Sequence, residues 1–350
     1  MKKKIKVDLK KYLEFLFLNK TKKLAICIGF GRWKKPYIRE YVEGYYLLFC
    51  HSRMPIKLII STLLFFCKEL EVFIWSYKEG ESLRKYLKKK NISITRVEDG
   101  FIRSIGLGLH EIKPLSLVFD KRGLYFNTKE MSDLKHILIN KAPNYDDEKL
   151  QRAKKLIKNI TSKGISKYNF PKTDDKLDDI PKNRYIVLAI GQVEDDMSIK
   201  YGCSKQITNL DLLQCAFAEN PDAYIIYKPH PDTLTGIRKT ISPLSECKNF
   251  CSKIDKENSL NTLLKISSHI YTITSLSGFE ALMHGKKVTC LGSPFYSGWG
   301  LTDDRDKKDF DNKRMTLSLE QLFYAAYVEY PTYLLGNIDK TIKYIEEKRQ

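Results

Sequence analysis

The feature that most constrains the fold is an alternation of apolar, strand-like runs and helical runs, which occurs twice along the chain. The first alternation extends from "LAICIGF", which begins at Leu24, to "ISITRVEDGF". The second begins with "YIVLAI" at Tyr185 and ends with "KVTCLG". Strands that alternate with helices form parallel sheets with helices on both faces. We therefore predict an α/β protein with two Rossmann-like domains that face a cleft.

The polar segment between the two alternations marks the predicted domain boundary. Residues 164–184 contain two prolines and show no hydrophobic periodicity, as is typical of a linker. The chain is thus divided into a basic segment over residues 1–23, an N-terminal domain over 24–163, the linker, and a C-terminal domain over 185–350. A chain of 350 residues is long enough for two domains of ordinary size.

The chain is strongly basic, with a formal net charge of +19, which favours anionic partners. The first 23 residues carry nine lysines against Asp8 and Glu14, and their apolar residues recur at helical spacing. We predict that this amphipathic segment lies on an anionic membrane surface. A terminal helix docked on its own domain is the alternative. The apolar run over residues 56–67 is too short to span a bilayer, and no signal peptide is recognised.

Eight scattered cysteines favour a reducing cytoplasm, so the predicted location is the inner face of the cytoplasmic membrane. No Cys or His pair has the spacing of a zinc site. Nucleic acid is not expected as a partner, because the aromatic residues lie mostly within apolar strands and no nucleic-acid motif is present. The charge therefore points to phosphorylated or carboxylated substrates or to acidic lipids.

Three acids stand directly after the strand that opens the second alternation. The apolar run from Tyr185 stops at Gly191, and Glu194, Asp195 and Asp196 follow. Adjacent carboxylates repel one another and resist desolvation, so their place at the end of a buried strand needs a reason. Ligands of parallel sheets bind at the carboxyl ends of strands. The pattern indicates a functional cluster, with an acidic loop held in solvent as the alternative.

Two later motifs also follow strands and suit an anionic ligand. "YKPHPD" offers the Lys228 ammonium and a ring N–H of His230 in a loop stiffened by two prolines. In "TSLSGFEALMHGK", Ser275 or Ser277 caps a helix whose first N–H groups attract anions. Glu280 lies in the first turn, where it could accept hydrogen bonds from ribose hydroxyls. The alternatives are a structural histidine in a surface loop and a capping box from Ser277 to Glu280.

The N-terminal domain has a counterpart in "VEDGFIRSIGLG". Glu98 and Asp99 end a strand, Gly100 allows a tight turn, and Arg103 offers a bidentate fork for a carboxylate. A structural Asp-Gly turn is the alternative. The loop "LGSPFYSGWGLTDD", which begins at Leu291, follows another strand and is predicted to close over a nucleotide or sugar.

Together these segments resemble one family. From about Gly29 to Asp304 the chain is similar to the bacterial capsule polysaccharide β-Kdo transferases, through the ordered segments "EDGFIRSIGLG", "LSLVFD", "GQVEDDMSI", "YKPHPD", "TSLSGFEAL" and "PFYSGWGLTDD". These are retaining enzymes that use CMP-Kdo and have a variant of the GT-B fold. The resemblance implies a GT-B-like glycosyltransferase that moves Kdo to a lipid-linked or oligosaccharide acceptor in capsule or other surface polysaccharide synthesis.

The resemblance also implies a role for each domain. The C-terminal domain would hold CMP-Kdo. Its phosphate would be bound by Lys228, His230, Ser275 and Ser277. Its ribose would be bound by Glu280, and Gln192 is the sixth donor-binding residue. The N-terminal domain would hold the acceptor. Glu98 and Asp99 would act as acids at the cleft, and Arg103 would bind a substrate carboxylate.

A retaining transfer can proceed by two displacements through a glycosyl adduct on an enzyme carboxylate. The resemblance points to Asp196 as this nucleophile, with Asp195 as the alternative and Glu194 as a structural or orienting acid. CMP-Kdo carries one phosphodiester, so no metal or other cofactor is expected and protein cations would stabilise the leaving CMP.

Some alternatives stay open. The donor could be another CMP-activated nonulosonic acid, such as a sialic acid, since pocket shape would decide. A basic nucleic-acid-binding protein and a catalytically inactive partner module are other classes, but the intact acids, Lys228 and His230 argue against the latter. Relatives often carry two such modules in tandem, so this chain would make one kind of linkage or act as one half of a pair.

Overall fold

The computed structural model describes residues 23–51, 55–66, 70–106, 112–169, 175–236, 238, 240–306 and 315–349. These residues form two six-stranded sheets, each built mainly from parallel strands. The predicted α/β fold with two Rossmann-like units is confirmed.

The first sheet has the strand order β12-β5-β4-β3-β1-β2. Its strands are β1 (Lys23–Ile28), β2 (Tyr45–Cys50), β3 (Leu70–Trp75), β4 (Ser93–Asp99), β5 (Ser116–Asp120) and β12 (Pro331–Tyr333). Strands β1 to β4 are parallel, whereas β5 pairs antiparallel with both β4 and β12. The helices between the parallel strands are α1 (Lys34–Tyr41), α2 (Ile56–Phe66) and α3 (Glu81–Lys89).

The second sheet has the order β11-β10-β9-β6-β7-β8, and all its pairings are parallel. Its strands are β6 (Ile186–Ile190), β7 (Tyr224–Lys228), β8 (Lys253–Ile254), β9 (His269–Thr272), β10 (Lys287–Cys290) and β11 (Asp303–Asp304). The remaining α-helices of the described residues are α4 (Asp133–Asn140), α5 (Asp147–Lys163), α6 (Met197–Gly202), α7 (Asn209–Glu219), α8 (Pro231–Leu234), α9 (Leu244–Cys247), α10 (Leu260–Ile266), α11 (Leu276–Met283), α12 (Leu319–Phe323) and α13 (Ile338–Arg349).

The apolar strands are buried on both faces because side chains alternate along a strand. On β6 all five residues are buried. Leu188 belongs to a core that includes Phe279 of α11, whereas Val187 belongs to a core that includes Leu212 of α7. A continuous apolar run such as "IVLAI" is what this two-sided burial requires.

The order of strands reverses once in each sheet. In the second sheet the chain runs from β6 outward to β7 and β8, then returns to the other side of β6 and continues outward from β9. In the first sheet the same reversal lies between β1 and β3. Crevices at the carboxyl ends of strands beside such reversals are where α/β proteins bind ligands.

The end of the chain departs from the predicted domain boundary. Strand β12, within the span 185–350 assigned to the C-terminal domain, is an edge strand of the first sheet. The Tyr330 hydroxyl donates a hydrogen bond of 2.9 Å to Asp120 beside it. Pairing with β12 satisfies the backbone groups of β5, and a three-residue strand has no periodicity by which the sequence could reveal it.

An aromatic cluster joins the two units into a shared core. The Phe101 ring stacks on Phe295 at 4.9 Å and on Tyr327 at 5.4 Å between ring centroids. Tyr296 is completely buried. The loop from Leu291 that was predicted to close over a ligand is therefore packed into this core, because its aromatic side chains serve as core residues.

Among the described helices, none combines the length and the apolar character that crossing a bilayer requires. The basic amphipathic segment lies outside the described residues except for Lys23, so its membrane role stays a prediction.

Candidate active site

Three central strands of the second sheet deliver polar residues to one crevice. Gln192 follows β6, His230 follows β7, and Ser275 follows β9. These strands are neighbours and run in the same direction, so their carboxyl ends meet at the reversal of strand order. The predicted donor residues of this domain are thus brought to one edge.

Gln192 connects two of these strand ends. Its Nε2 donates hydrogen bonds to Ser198 Oγ (2.8 Å) and Thr274 Oγ1 (2.9 Å), and its Oε1 accepts one from the Thr274 backbone N–H (3.1 Å). The side chain is buried and its amide is fully engaged with Ser198 and Thr274, so the predicted role of Gln192 as a donor-binding residue stays a prediction.

The three acids after β6 have different environments. Glu194 is only 1% exposed and accepts five hydrogen bonds, from Asn209 N, Thr240 Oγ1, Ile241 N, Ser242 N and Ser242 Oγ. Burial alone would raise the pKa of Glu194, but these donors outweigh burial and lower it. The prediction of a structural acid is confirmed.

Asp195 and Asp196 are both exposed but point to different partners. Asp195 forms an ion pair of 2.7 Å with Arg238. Asp196 is the N-cap of α6, where it accepts hydrogen bonds from the Met197 N–H (2.6 Å) and from Ser198 Oγ (3.1 Å). The charge of Asp196 also acts on His230 across the crevice.

Helix α6 is held by both units. The Tyr201 ring stacks on Tyr77 of the first unit at 4.7 Å, and the Tyr201 carbonyl accepts hydrogen bonds from the Thr128 N–H and hydroxyl. The Gly202 carbonyl accepts from the Ser293 N–H in the second unit. The helix that presents Asp196 is therefore fixed at the boundary between the units.

His230 is oriented to donate from Nε2. Its Nδ1 accepts the Asp232 N–H at 3.1 Å, so the ring proton of the neutral imidazole lies on Nε2. Burial lowers the pKa of His230, although Asp232 and Asp196 act in the opposite direction. This arrangement matches the predicted N–H donor for a phosphate.

Lys228 has internal partners instead. Its Nζ donates to the Asn258 carbonyl at 2.6 Å and lies 3.6 Å from Asp255 Oδ1. Burial lowers the pKa of Lys228, while Asp255 raises it. A phosphate would have to share the ammonium with these groups, a competition that the motif alone does not reveal.

Helix α11, which follows β9, has Ser275 as its N-cap, and the Ser275 Oγ accepts the Ser277 N–H at 3.2 Å. The alternative capping box from Ser277 to Glu280 is wrong, because Ser277 lies inside the first turn. The prediction that Glu280 lies in the first turn is also wrong, because the helix begins at Leu276 and Glu280 falls beyond that turn. Glu280 is 5% exposed and its Oε1 accepts the Lys167 N–H at 3.0 Å. Burial raises the pKa of Glu280 to about 7, despite Lys167. An internal partner thus occupies the predicted ribose ligand.

On the first unit, Glu98 and Asp99 end β4. Asp99 lies 3.5 Å from both Lys34 Nζ and Arg103 Nε. Burial would raise the pKa of Asp99, but the two cations lower it, whereas burial and the Asp99 charge raise the pKa of Glu98. Two adjacent carboxylates with opposite shifts are the pattern of an ionised group beside a proton carrier.

Arg103, the predicted fork for a substrate carboxylate, is completely buried. Its Nη1 donates to Ser104 Oγ at 2.8 Å, and its guanidinium lies 5.4 Å from the Trp33 ring centroid. Its Nε and Nη2 have no hydrogen-bond partner in the described chain. The nearest carboxylate is Asp99, so the structure places Arg103 behind that acid.

The structure adds Lys167 and Tyr125, which the sequence analysis missed. Burial would lower the pKa of Lys167, but Tyr168, Tyr125, Asp99 and Asp196 raise it well above its usual value. The Lys167 ammonium therefore interacts electrostatically with an acid of each unit, Asp99 and Asp196. Residue 167 lies at the start of the predicted linker. The only sequence signal there against a surface loop is the aromatic residue Tyr168 next to it.

Within the described ranges, no group of three or more His, Cys, Asp or Glu side chains is arranged to hold a metal ion.

Residues 71–333 match the family described as "Capsule polysaccharide biosynthesis protein". The chain is 38% identical over 320 residues to the "Lipopolysaccharide-processing protein LpsZ" of Rhizobium meliloti, which covers 91% of this chain and 72% of LpsZ. It is also 38% identical over 311 residues to the "Capsule polysaccharide modification protein LipA" of Neisseria meningitidis serogroup B. That match covers 88% of this chain but 42% of LipA.

Two solved structures from Thermosulfurimonas dismutans share the architecture. The KpsC "beta Kdo 2,4 transferase" has a TM-score of 0.77 at 30% identity, over 93% of this chain and 98% of that one. The KpsC "beta Kdo 2,7 transferase" has a TM-score of 0.71 at 31% identity, over 94% of this chain and all of that one. The predicted GT-B-like architecture is confirmed, and the chain belongs to the capsule polysaccharide biosynthesis protein family.

Proposed function

We propose that the chain is a retaining glycosyltransferase that moves Kdo from CMP-Kdo to a lipid-linked or oligosaccharide acceptor of a capsule or other surface polysaccharide. Its family and its similarity to two β-Kdo transferase structures support the transferase class. The retaining route and CMP-Kdo as the sugar donor are supported by the arrangement of carboxylates and hydrogen-bond donors at the cleft.

The observation that carries the proposal is the position of Asp196 at the cap of α6, between the two units. The Asp196 carboxylate caps α6 and its charge acts on His230, whereas Asp195 is paired with Arg238. In the first step an Asp196 oxygen forms a bond to the anomeric carbon while the bond from that carbon to the phosphate oxygen breaks. The electron pair leaves with CMP, and the sugar stays on Asp196 with inverted configuration.

Leaving CMP needs groups that stabilise its developing charge. We assign this role to His230 Nε2–H, to the hydroxyls of Ser275 and Ser277, and to the start of α11. Lys228 donates to the Asn258 carbonyl, and we assign it to supporting this loop. The donor's single phosphodiester does not require a metal to bridge two phosphates, and we propose that none is used.

In the second step an acceptor hydroxyl attacks the anomeric carbon from the side of the first unit, and the Asp196–carbon bond breaks. Glu98 accepts the hydroxyl proton, since its raised pKa makes it the better base of its pair. We assign Arg103 to holding Asp99 ionised rather than to a substrate carboxylate, because its guanidinium is enclosed. Two inversions give net retention.

The match covers 42% of LipA, so the activity of that longer protein is not assigned to this chain. We propose that this module makes one kind of linkage.

We also propose that residues 1–23 bring it to an anionic membrane surface at the cytoplasmic face. Deletion of residues 1–20 should then reduce sedimentation with anionic vesicles, and unchanged sedimentation would refute this.

The test of the function compares Asp196→Asn with Asp195→Asn, which removes the same charge one position away. With CMP-Kdo and an oligosaccharide acceptor, Asp196→Asn should reduce CMP release by at least about 1000-fold, and Asp195→Asn by less than about 10-fold. Product from the wild type should keep the anomeric configuration of the donor by NMR. Equal losses in both variants, or an inverted product, would contradict the proposal.

A further inference from the structure

We propose that the Lys167 ammonium binds an oxyanion of the sugar-nucleotide donor, either the carboxylate of the sugar or the phosphodiester. This inference deepens the proposed function and rests on it. It follows from how the backbone of residue 167 is held, from the lack of a direct partner for its ammonium, and from the charges around it.

The backbone of Lys167 is held by both units. Its carbonyl accepts hydrogen bonds from the N–H groups of Arg103 (3.0 Å) and Ser104 (3.3 Å) of the first unit. Its N–H donates to Glu280 of α11 in the second unit at 3.0 Å. Tyr168 next to it forms an isolated bridge with Ser104. The backbone of Lys167 is thus fixed by hydrogen bonds to both units.

The Lys167 ammonium lacks a direct partner. The other cations considered above each have a carboxylate within 4 Å: Lys34 and Arg103 at Asp99, Lys228 at Asp255, and Arg238 at Asp195. Among the described residues, Lys167 Nζ has neither a hydrogen bond nor an ion pair, and its one ring contact is with Tyr168 at 5.5 Å. A half-buried charge without a partner is costly, so a ligand anion would supply what the chain does not.

The charges that act on Lys167 are those of the groups proposed to be catalytic. The charges of Asp99 and Asp196 both act on Lys167 from beyond contact distance, and Lys167 in turn acts on His230. A donor with its anomeric carbon at Asp196 and its phosphate at His230 carries both of its anionic groups into this space. The raised pKa of Lys167 agrees with a permanent cation there.

The experiment measures binding of CMP, CMP-Kdo and cytidine by titration calorimetry to wild type, Lys167→Met and Lys167→Gln. Lys200→Met, which removes an exposed lysine of α6, is the matched control. Lys167→Arg tests whether a cation restores binding. Thermal unfolding of each variant confirms that the protein is folded before affinities are compared.

Two results would support the inference and separate its sources. If the phosphodiester is the ligand, the Lys167 variants should bind CMP and CMP-Kdo at least about 10-fold more weakly, with cytidine unchanged. If the sugar carboxylate is the ligand, only CMP-Kdo should weaken. In both cases Lys200→Met should bind like wild type, Lys167→Arg should recover part of the loss, and added salt should weaken wild type more than Lys167→Gln.

Unchanged affinity of folded Lys167→Met and Lys167→Gln for CMP and CMP-Kdo would overturn the inference, because Lys167 would then only balance Asp99 and Asp196. Wild type that binds CMP-Kdo without transferring it would contradict the proposed function and leave this binding site measurable. Wild type that binds neither nucleotide would overturn both.

Discussion

The two units each end a parallel strand with adjacent acids, but they treat those acids differently. In the first unit, Glu98 and Asp99 lie side by side, and the cations Lys34 and Arg103 beside Asp99 lower its pKa while that of Glu98 is raised. In the second unit, Glu194 is buried among backbone donors, while Asp195 and Asp196 stand in solvent. Neighbouring carboxylates thus acquire separate roles from their partners and not from their order in the sequence.

Burial alone therefore does not identify the reactive acid. The most buried acid of the second unit, Glu194, accepts five hydrogen bonds and has no capacity left for a substrate. Asp196 has a free approach and a cap position that fixes its direction. Substitutions at Glu194, Glu98 and Glu280 test how the partners of a buried acid set its role.

The largest effect is expected for stability in Glu194→Ala. Five donors around the buried carboxylate would lose their acceptor, so the free energy of unfolding should fall by about 3–5 kcal/mol. Denaturant unfolding measures it. Asp195→Asn, which removes an exposed ion pair next to it, should change that free energy by less than about 1 kcal/mol. Similar losses in the two variants would mean that Glu194 is not the structural acid.

Glu98→Gln should separate the two chemical steps. Without the base the acceptor hydroxyl keeps its proton, so transfer should slow by about 100-fold or more, whereas attack of Asp196 on the donor should continue. Quenched-flow measurement of CMP release and of product resolves the steps. Glu40→Gln, at an exposed acid of the same unit, is the control. A loss of donor cleavage equal to the loss of transfer would remove Glu98 from the second step.

The smallest effect is expected at Glu280, whose pKa is raised from 4.5 to about 7. The folded protein then binds this proton more tightly than the unfolded chain, so wild-type stability should fall as pH rises between these values. Glu280→Gln keeps an acceptor for Lys167 and removes the charge, so it should gain up to about 3 kcal/mol relative to wild type above pH 7. Denaturant unfolding at pH 5 and pH 8 checks this, with exposed Glu246→Gln as control. A constant difference between the two pH values would contradict it.

Much of the fold could be predicted because its signals are local. Apolar runs such as "IVLAI" became strands, and the acids after β4 and β6 lie at strand ends as expected. Strand β12 could not be predicted, since its pairing with β5 joins residues more than 200 positions apart.

The candidate site was predicted only as far as its motifs are local. The partners that redirect Lys228 and Glu280 lie in other segments, at Asn258 and at residue 167. Lys167 itself lay in a stretch predicted to be linker, and its importance comes from two units that meet around it. Pairing between distant segments decided what composition and spacing left open.

The central claim is that Asp196 carries the sugar. Intact-protein mass spectrometry after incubation with CMP-Kdo and no acceptor tests it directly on wild type, Asp196→Asn and Asp195→Asn. We expect an added mass of one Kdo residue on wild type and on Asp195→Asn, and none on Asp196→Asn. An adduct that persists on Asp196→Asn, or one that is lost only in Asp195→Asn, would contradict it.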